Sequence, residues 1–332
     1  MPEIRQNRIT REWVIIATER ARRPEEFAKK TKEKKEIPKF VPTCPFCPGN
    51  EDKTPPETLR LPDKNGWQVR VTPNKFAAVS AEGELVRTWH GIKRTLSGVG
   101  HHEVIVETPD HSLTTALLTD DEVTLIIESY RRRYRDVMAD SRIEQVTLFK
   151  NHGEAAGTSL EHPHSQLIAL PVIPVQVRDR LEEALRHYDE FGECIFCRVM
   201  DEEIEEGARV VMENEHFVAF VPFAAMSPFH MWIFPKKHMA TFAEITDAQA
   251  RDLACILRRV LRKLYVGLDN PDFNYTLRTA PKESEHIRYY HWYVSVIPRL
   301  TKMAGFELGS GMFINTALPE ESAKFLRNVK VD

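Results

Sequence analysis

The chain has 332 residues, enough for one large domain or two of ordinary size, each with a sizeable core. Hydrophobic residues make up 42%, charged residues 29%, and the net charge is −3, which gives no basic surface for nucleic acid and no apolar skin for a membrane. No apolar run reaches the roughly 18 residues of a spanning helix, and Met1-Pro2-Glu3-Ile4-Arg5 lacks the apolar stretch of a signal peptide, so a cytoplasmic protein is expected.

Residues 8 to 18 read as a strand that runs into Glu19-Arg20-Ala21-Arg22-Arg23-Pro24, where the arginine forks could clamp phosphate. The basic run from Lys29 to Lys35 is broken by Glu33 and followed by Pro38, which predicts a solvated loop. Cys44-Pro45-Phe46-Cys47 has the spacing of a metal knuckle. Strands follow at 68–72 and 101–108, the first leading into Pro73-Asn74-Lys75-Phe76 and the second into Pro109-Asp110-His111. A helical pattern runs from Asp120 to about Met138, and a strand at 145–150 leads into Asn151-His152-Gly153. Next stand Gly157-Thr158-Ser159 and His162-Pro163-His164-Ser165-Gln166, where strand alternation would put His162, His164 and Gln166 on one face. A helix at 179–187 would join this half to a second one.

The second half repeats the order. Cys194-Ile195-Phe196-Cys197 repeats the knuckle, 210–220 a strand pair, and 230–238 a strand ending in a histidine. A helix from Asp247 to about Tyr265, a strand at 273–279 and His291-Trp292-Tyr293 complete it. His111 and His162 are 51 positions apart, His238 and His291 are 53, and each interval holds a long helix and then a strand. The expectation is an α+β fold made by tandem duplication of one unit, 1–175 and 176–332, mainly antiparallel with helices on one face.

Cys44, Cys47, His111 and His162 form a candidate Cys2His2 zinc set, and Cys194, Cys197, His238 and His291 its counterpart. With four protein ligands each, both metals would be structural. The halves differ two residues after the last histidine ligand, where the first has His164 and then Gln166 and the second has Tyr293 and then Ser295. That asymmetry assigns chemistry to His164, as a general base or as a nucleophile towards phosphorus. Backbone N–H groups and hydroxyls at Gly157, Thr158 and Ser159 suit a phosphate.

Arg20-Ala21-Arg22-Arg23-Pro24, Cys44-Pro45-Phe46-Cys47, Pro73-Asn74-Lys75-Phe76, Pro109-Asp110-His111-Ser112, Asn151-His152-Gly153, His162-Pro163-His164-Ser165-Gln166 and Gly305-Phe306-Glu307 together resemble the galactose-1-phosphate uridylyltransferases of the histidine-triad superfamily. The resemblance spans nearly the whole chain. It implies ping-pong exchange of a nucleoside monophosphate between a nucleotide sugar, UDP-glucose, and a hexose 1-phosphate. In that scheme His164 is the nucleophile and Gln166 stabilises the nucleotidylated histidine. Asn74, Phe76, Asn151 and Ser159 fall at nucleotide and phosphate contacts, Arg20 and Arg23 near the hexose phosphate, and Glu307 at the sugar hydroxyls. The sugar-side groups reach across an interface in the family, so a homodimer is implied. The second C-x-x-C and Lys75 depart from the common pattern and match a subgroup that includes ADP-glucose phosphorylases, which gives adenylyl transfer as the alternative. A zinc and nucleotide-binding protein without catalysis is a further alternative, since the second half keeps the unit without His164.

Overall fold

Runs rich in Val, Ile, Phe and Tyr with alternating burial make the strands of this protein, and two long runs of helical period make its principal helices. The computed structural model describes residues 1–17, 24–27, 37–62, 66–284 and 286–331. Arg20 and Arg23 lie outside the described residues, as does the whole basic run at 29–35.

In chain order the first half holds β1 (Glu3–Gln6), β2 (Trp13–Ile16), β3 (Leu59–Leu61), β4 (Val69–Pro73), β5 (Arg87–His90), β6 (Lys93–Leu96), β7 (His101–Val106), α1 (Asp120–Met138), β8 (Gln145–His152) and β9 (His164–Leu170). The second holds α2 (Val175–Phe191), α3 (Ile195–Glu206), β10 (Val210–Glu213), β11 (Phe217–Phe220), β12 (Met231–Pro235), α4 (Asp247–Gly267), β13 (Phe273–Arg278) and β14 (Tyr293–Pro298), followed by α5 (Gly305–Ser310), β15 (Phe313–Asn315) and α6 (Pro319–Asn328). The strand expected at 8–18 is shorter, because the Asn7 side chain accepts the N–H groups of Ile9 and Thr10 and turns the chain there.

Ten strands form one sheet in the order β10-β11-β12-β14-β13-β8-β9-β7-β4-β3, antiparallel throughout. Outward from the β13–β8 pair at its centre, the order β13-β14-β12-β11-β10 mirrors β8-β9-β7-β4-β3, so the duplication is written into the sheet. The two halves share one sheet because β8 and β13 pair with each other, Asn151 opposite Asn274 and Phe149 opposite Thr276.

Helices α1 and α4 lie side by side on one face. Thr119 with Glu122 caps α1 and Thr246 with Gln249 caps α4, each as a capping box. Arg131 of α1 pairs with Asp247 at the start of α4, and Arg258 of α4 pairs with Asp120 at the start of α1. This reciprocal pairing is what a pseudo-twofold axis between the helices requires. Leu167, Ala169, Val146 and Leu148 from the first half and Phe273, Tyr275, Val294 and Val296 from the second point into the same helix-covered core.

The other face differs between the halves. In the second, α2 and α3 bring Ala184, Phe196 and Met200 against Trp232, Phe234, Tyr290 and Tyr293. Helices therefore cover both faces there, in contrast to the one-face expectation. In the first half the corresponding face carries the Cys44–Cys47 knuckle against Val104 and Val106.

Beneath β9, on the helix side, lies a buried polar network. Lys150 Nζ sits 2.5 Å from Glu107 Oε2, with both side chains almost fully buried. Thr115 donates to Glu107, and Tyr130 OH contacts Ser165 Oγ at 2.7 Å and Tyr275 OH at 2.6 Å. Burial acts to raise the Glu107 carboxyl, but Lys150 and the hydroxyls outweigh it and hold the group below its usual range. Removing one partner strands the other charge. Lys150→Met is therefore expected to destabilise the fold by about 3–5 kcal/mol, read by urea unfolding. Because the folded carboxyl is depressed, the pair's contribution is fully present above the ordinary value of 4.5 and is lost as pH falls through the lowered one. The variant's deficit should shrink in acid accordingly.

Candidate active site and metal centres

The knuckle is a tight turn in which Cys47 N–H donates to the Cys44 carbonyl. Backbone N–H groups of Phe46 and Val41 donate to the sulfurs of Cys44 and Cys47 at 3.4 and 3.3 Å. Asn50 Nδ2 holds the Cys44 carbonyl at 2.8 Å, and His111 N–H donates to the carbonyl of Lys39, which ties the histidine to the same turn.

Cys44, Cys47, His111 and His162 converge with all four ligand atoms within 4.8 Å of one another, and all four residues are buried. Cys47 Sγ lies 3.5 Å from His111 Nδ1 and 3.7 Å from His162 Nδ1, Cys44 Sγ lies 3.7 Å from His162 Nδ1, and the two Nδ1 atoms are 3.2 Å apart. Ligands on a tetrahedron with bonds of about 2.0–2.3 Å are separated by roughly 3.3–3.8 Å, so the spacing fits a central metal ion. His162 Nε2–H donates to the Thr108 carbonyl at 2.8 Å, which fixes the tautomer with Nδ1 bare. Burial pushes His162 down to about 4 and lowers His111 as well, so both imidazoles are neutral, as metal ligation requires.

In the second half Cys194, Cys197 and His238 gather within 4.8 Å of one another. Cys197 Sγ is 3.2 Å from His238 Nδ1 and 3.3 Å from His291 Nδ1, so His291 meets this group through Cys197. The repeat thus places two thiols and two imidazoles at corresponding points of both halves, with the first set the tighter.

His162 was expected to share a strand face with His164 and Gln166. The strand instead begins at His164, because Pro163 has no N–H to give the ladder. His162 is thereby free to turn to the metal group, while His164 and Gln166 keep the common face that the pleat dictates. His164 Nδ1–H donates to the His162 carbonyl at 2.8 Å. The ring packs on Phe46 of the knuckle, 5.4 Å between centroids, so the metal turn buttresses it. Burial first, with Lys150 adding, lowers the imidazole below its usual range. His164 is therefore neutral at pH 7 with a lone pair on Nε2, the form needed for nucleophilic attack.

Around it stand residues of both halves. Asn151 Oδ1 accepts from Asn274 Nδ2 at 2.8 Å, and the same Asn274 nitrogen donates to the Ala156 carbonyl at 2.9 Å. Asp272 accepts the Ala155 N–H at 2.7 Å and packs on Gly153, where φ is +83° and any Cβ would fall 2.1 Å from its oxygen. The loop through Gly157, Thr158 and Ser159 is thus clamped by β13 and the turn before it. Thr158 Oγ1 donates to the Leu160 carbonyl, whereas the exposed Ser159 hydroxyl has no partner among the described residues. Asn274 and Asp272 escaped sequence reasoning because they belong to the other half and nothing local marks them.

Asn74 Oδ1 accepts the Phe76 N–H at 2.9 Å in a tight turn that leaves the Phe76 ring 85% exposed, an open face for stacking. Beside it an open cleft is lined by Lys75, Ala78, Val79, Gly100 and His102. Glu307 is set apart. It caps α5 through the Ala304 N–H and lines a small cleft with Arg299, Lys302 and Phe313, without contact to His164 among the described residues.

The profile of the galactose-1-phosphate uridyl transferase N-terminal domain matches residues 1–174, and that of the C-terminal domain matches 179–331. The chain belongs to the galactose-1-phosphate uridyl transferase family. It is 36% identical to an ADP-glucose phosphorylase of Arabidopsis thaliana over 99% of this chain and 93% of the relative. It is 30% identical to a galactose-1-phosphate uridylyltransferase of Thermotoga maritima over the full length of both. The crystal structure of an Arabidopsis thaliana ADP-glucose phosphorylase with bound ADP-glucose superposes with a TM-score of 0.85 at 32% identity, covering 100% of each chain. The family is one of transferase enzymes. The α+β duplicated fold expected from the sequence agrees with this membership. Among the described residues, no helix is long and apolar enough to cross a membrane.

Proposed function

We propose that this protein is a hexose-1-phosphate nucleotidylyltransferase that works by ping-pong exchange through a covalent nucleotidyl-His164. The observation that carries the reading is the bond from His164 Nδ1–H to the His162 carbonyl, which reserves the Nε2 lone pair for attack. Nε2 attacks the α-phosphorus of a nucleotide sugar, the bond to the β-phosphate oxygen breaks, and hexose 1-phosphate leaves. A phosphate oxygen of the acceptor then attacks the same phosphorus, and the N–P bond breaks. Gln166 offers its amide to the phosphoryl oxygens, Ser159 its hydroxyl and Asn151 a side-chain amide. Against the sequence expectation, the Gly157 and Thr158 N–H groups and the Thr158 hydroxyl donate to carbonyls within the loop and shape it instead. Asn74 and Phe76 take the nucleoside.

Residues 1–175 carry the reaction in this proposal, and residues 176–332 complete and support the site. Each half holds one zinc, bound by Cys44, Cys47, His111 and His162 and by Cys194, Cys197, His238 and His291. Both are structural, since the protein fills their ligand positions. The separation of Glu307 from His164 supports a homodimer in which Glu307, with Arg20 and Arg23, serves the sugar phosphate of the partner's site. Two C-x-x-C pairs given to metal rather than to disulfides fit a reducing, cytoplasmic setting.

The donor read from the sequence is UDP-glucose, in keeping with the family and with relatives such as the Thermotoga maritima enzyme. A second reading, adenylyl transfer from ADP-glucose to phosphate or a sugar phosphate, is favoured by one observation, the 36% identity to an ADP-glucose phosphorylase. Incubation with UDP-glucose and ADP-glucose, each labelled at the α-phosphate, separates the readings, because only the true donor should leave its nucleotide on the protein. Label from UDP-glucose alone supports uridylyl transfer, and label from ADP-glucose alone replaces it with adenylyl transfer.

A further inference from the structure

We infer that His102 is a positioning residue that fixes the amide of Gln166 with its nitrogen towards the reacting phosphoryl group. The Ala78 N–H donates to His102 Nδ1 at 3.0 Å, so Nδ1 is the bare nitrogen and Nε2 carries the proton. That Nε2–H donates to Gln166 Oε1 at 2.8 Å. An amide whose oxygen is held in this way can turn only its NH2 to a ligand, and the Gln166 nitrogen has no protein partner among the described residues. A freely rotating glutamine would instead present its oxygen half the time and repel a phosphoryl oxygen. His102 also joins this amide to the Asn74 loop. Its carbonyl accepts the Asn74 N–H at 2.8 Å. Asn74 Nδ2, 3.0 Å from the protonated Nε2, is itself a donor, because Asn74 Oδ1 accepts the Phe76 N–H, and adds no hydrogen bond there.

The second half shows where the arrangement came from. Val104 of β7 pairs with Gln166, and Trp232 of β12 pairs with Ser295, so His230, two residues before Trp232, is the counterpart of His102. His230 Nε2 lies 2.9 Å from Ser295 Oγ, the same contact with a hydroxyl in place of the amide. Its Nδ1 has no partner, whereas His102 Nδ1 is anchored by the Ala78 N–H. The histidine–partner contact belongs to the repeat. Only in the first half is the histidine's tautomer set by a backbone donor and its partner an amide whose orientation matters.

The inference rests on the reading of His164 as nucleophile and Gln166 as its amide donor, and two variants test it separately from that reading. The side-chain oxygen of asparagine is as many bonds from Cβ as His Nδ1, so H102N keeps the acceptor for Ala78 and loses the donor to Gln166. The side-chain nitrogen of glutamine is as many bonds from Cβ as His Nε2, so H102Q keeps the donor. The rate of nucleotidyl-enzyme formation is measured by rapid quench on the metal-loaded protein with the α-phosphate-labelled donor, together with kcat, KM and melting midpoint. H102N should lose about 10- to 100-fold in that rate and in kcat, with KM and midpoint little changed. H102Q should stay within about threefold of wild type, and H102N added to Q166A should cost nothing further. Wild-type rates in H102N, loss in H102Q equal to that in H102N, or additive loss on Q166A would each overturn the role of His102 while leaving the nucleophile reading intact. Failure of the wild-type protein to take label from either donor would sink both.

Discussion

Replacing His164 by asparagine is expected to lower turnover by about 10⁴-fold or more while the protein folds and keeps its metal. The side-chain nitrogen of asparagine stands where His Nδ1 stands, so the bond to the His162 carbonyl survives. What disappears is Nε2, the atom with the free lone pair. A ping-pong enzyme without its nucleophile has only direct displacement left, which needs two anionic substrates in the site at once. Contact with Phe46 is reduced, but the ring of Phe46 stays in the knuckle through its own backbone bond to Cys44 Sγ. Steady-state kcat with the preferred donor, read beside metal content and melting midpoint, checks the prediction. Turnover within tenfold of wild type would remove His164 from the covalent step.

The second large effect is expected from Cys47→Ser. Cys47 is fully buried, and its sulfur touches both histidines of the first metal group. A serine hydroxyl is a poor ligand for a borderline-soft ion, and ligand loss here is coupled to folding. The variant should lose one metal per chain and about 4 kcal/mol, the scale reached when a metal site goes. That corresponds to a fall of roughly 6 °C in melting midpoint for a protein of this size. Turnover should fall with the metal, because the knuckle carries Phe46 against the His164 ring. The equivalent change in the second half, Cys194→Ser, should lower stability and spare the rate of the folded fraction. There the covered face is filled by Phe196, Tyr290 and Tyr293, and nothing like His164 stands on it. Metal analysis by mass spectrometry with calorimetry distinguishes the two variants.

Much of this was legible from residue spacing. Two C-x-x-C turns and matched histidine intervals disclosed the duplication, since ligands of one ion must recur at fixed points of a repeated unit. Asp120 to Met138 was readable as a helix because its apolar residues keep helical period, and the structure adds a capping box of Thr119 with Glu122 at its start. His164 stood out because Tyr293 replaces it. The joining of the halves into one sheet was not legible, because pairing of β8 with β13 leaves no mark in either strand's hydrophobic pattern. The roles of Asn274 and Asp272 followed from that pairing and were hidden with it. Helix α3 was missed for a related reason. Its apolar positions cover a sheet face that the first half leaves to the knuckle, so comparison of the halves gave no cue. The role of His102 was hidden as well, since it depends on a diagonal contact across two strands.

The most direct test of the central claim is to trap the nucleotidylated protein and locate the adduct. The wild-type chain, incubated with α-phosphate-labelled nucleotide sugar without acceptor, is digested under alkaline conditions that preserve an N–P bond and sequenced by tandem mass spectrometry. The account predicts one nucleoside monophosphate per active site, on His164, discharged when hexose 1-phosphate or phosphate is added. An adduct on any other residue, or turnover by a wild-type protein that never carries the nucleotide, would contradict it.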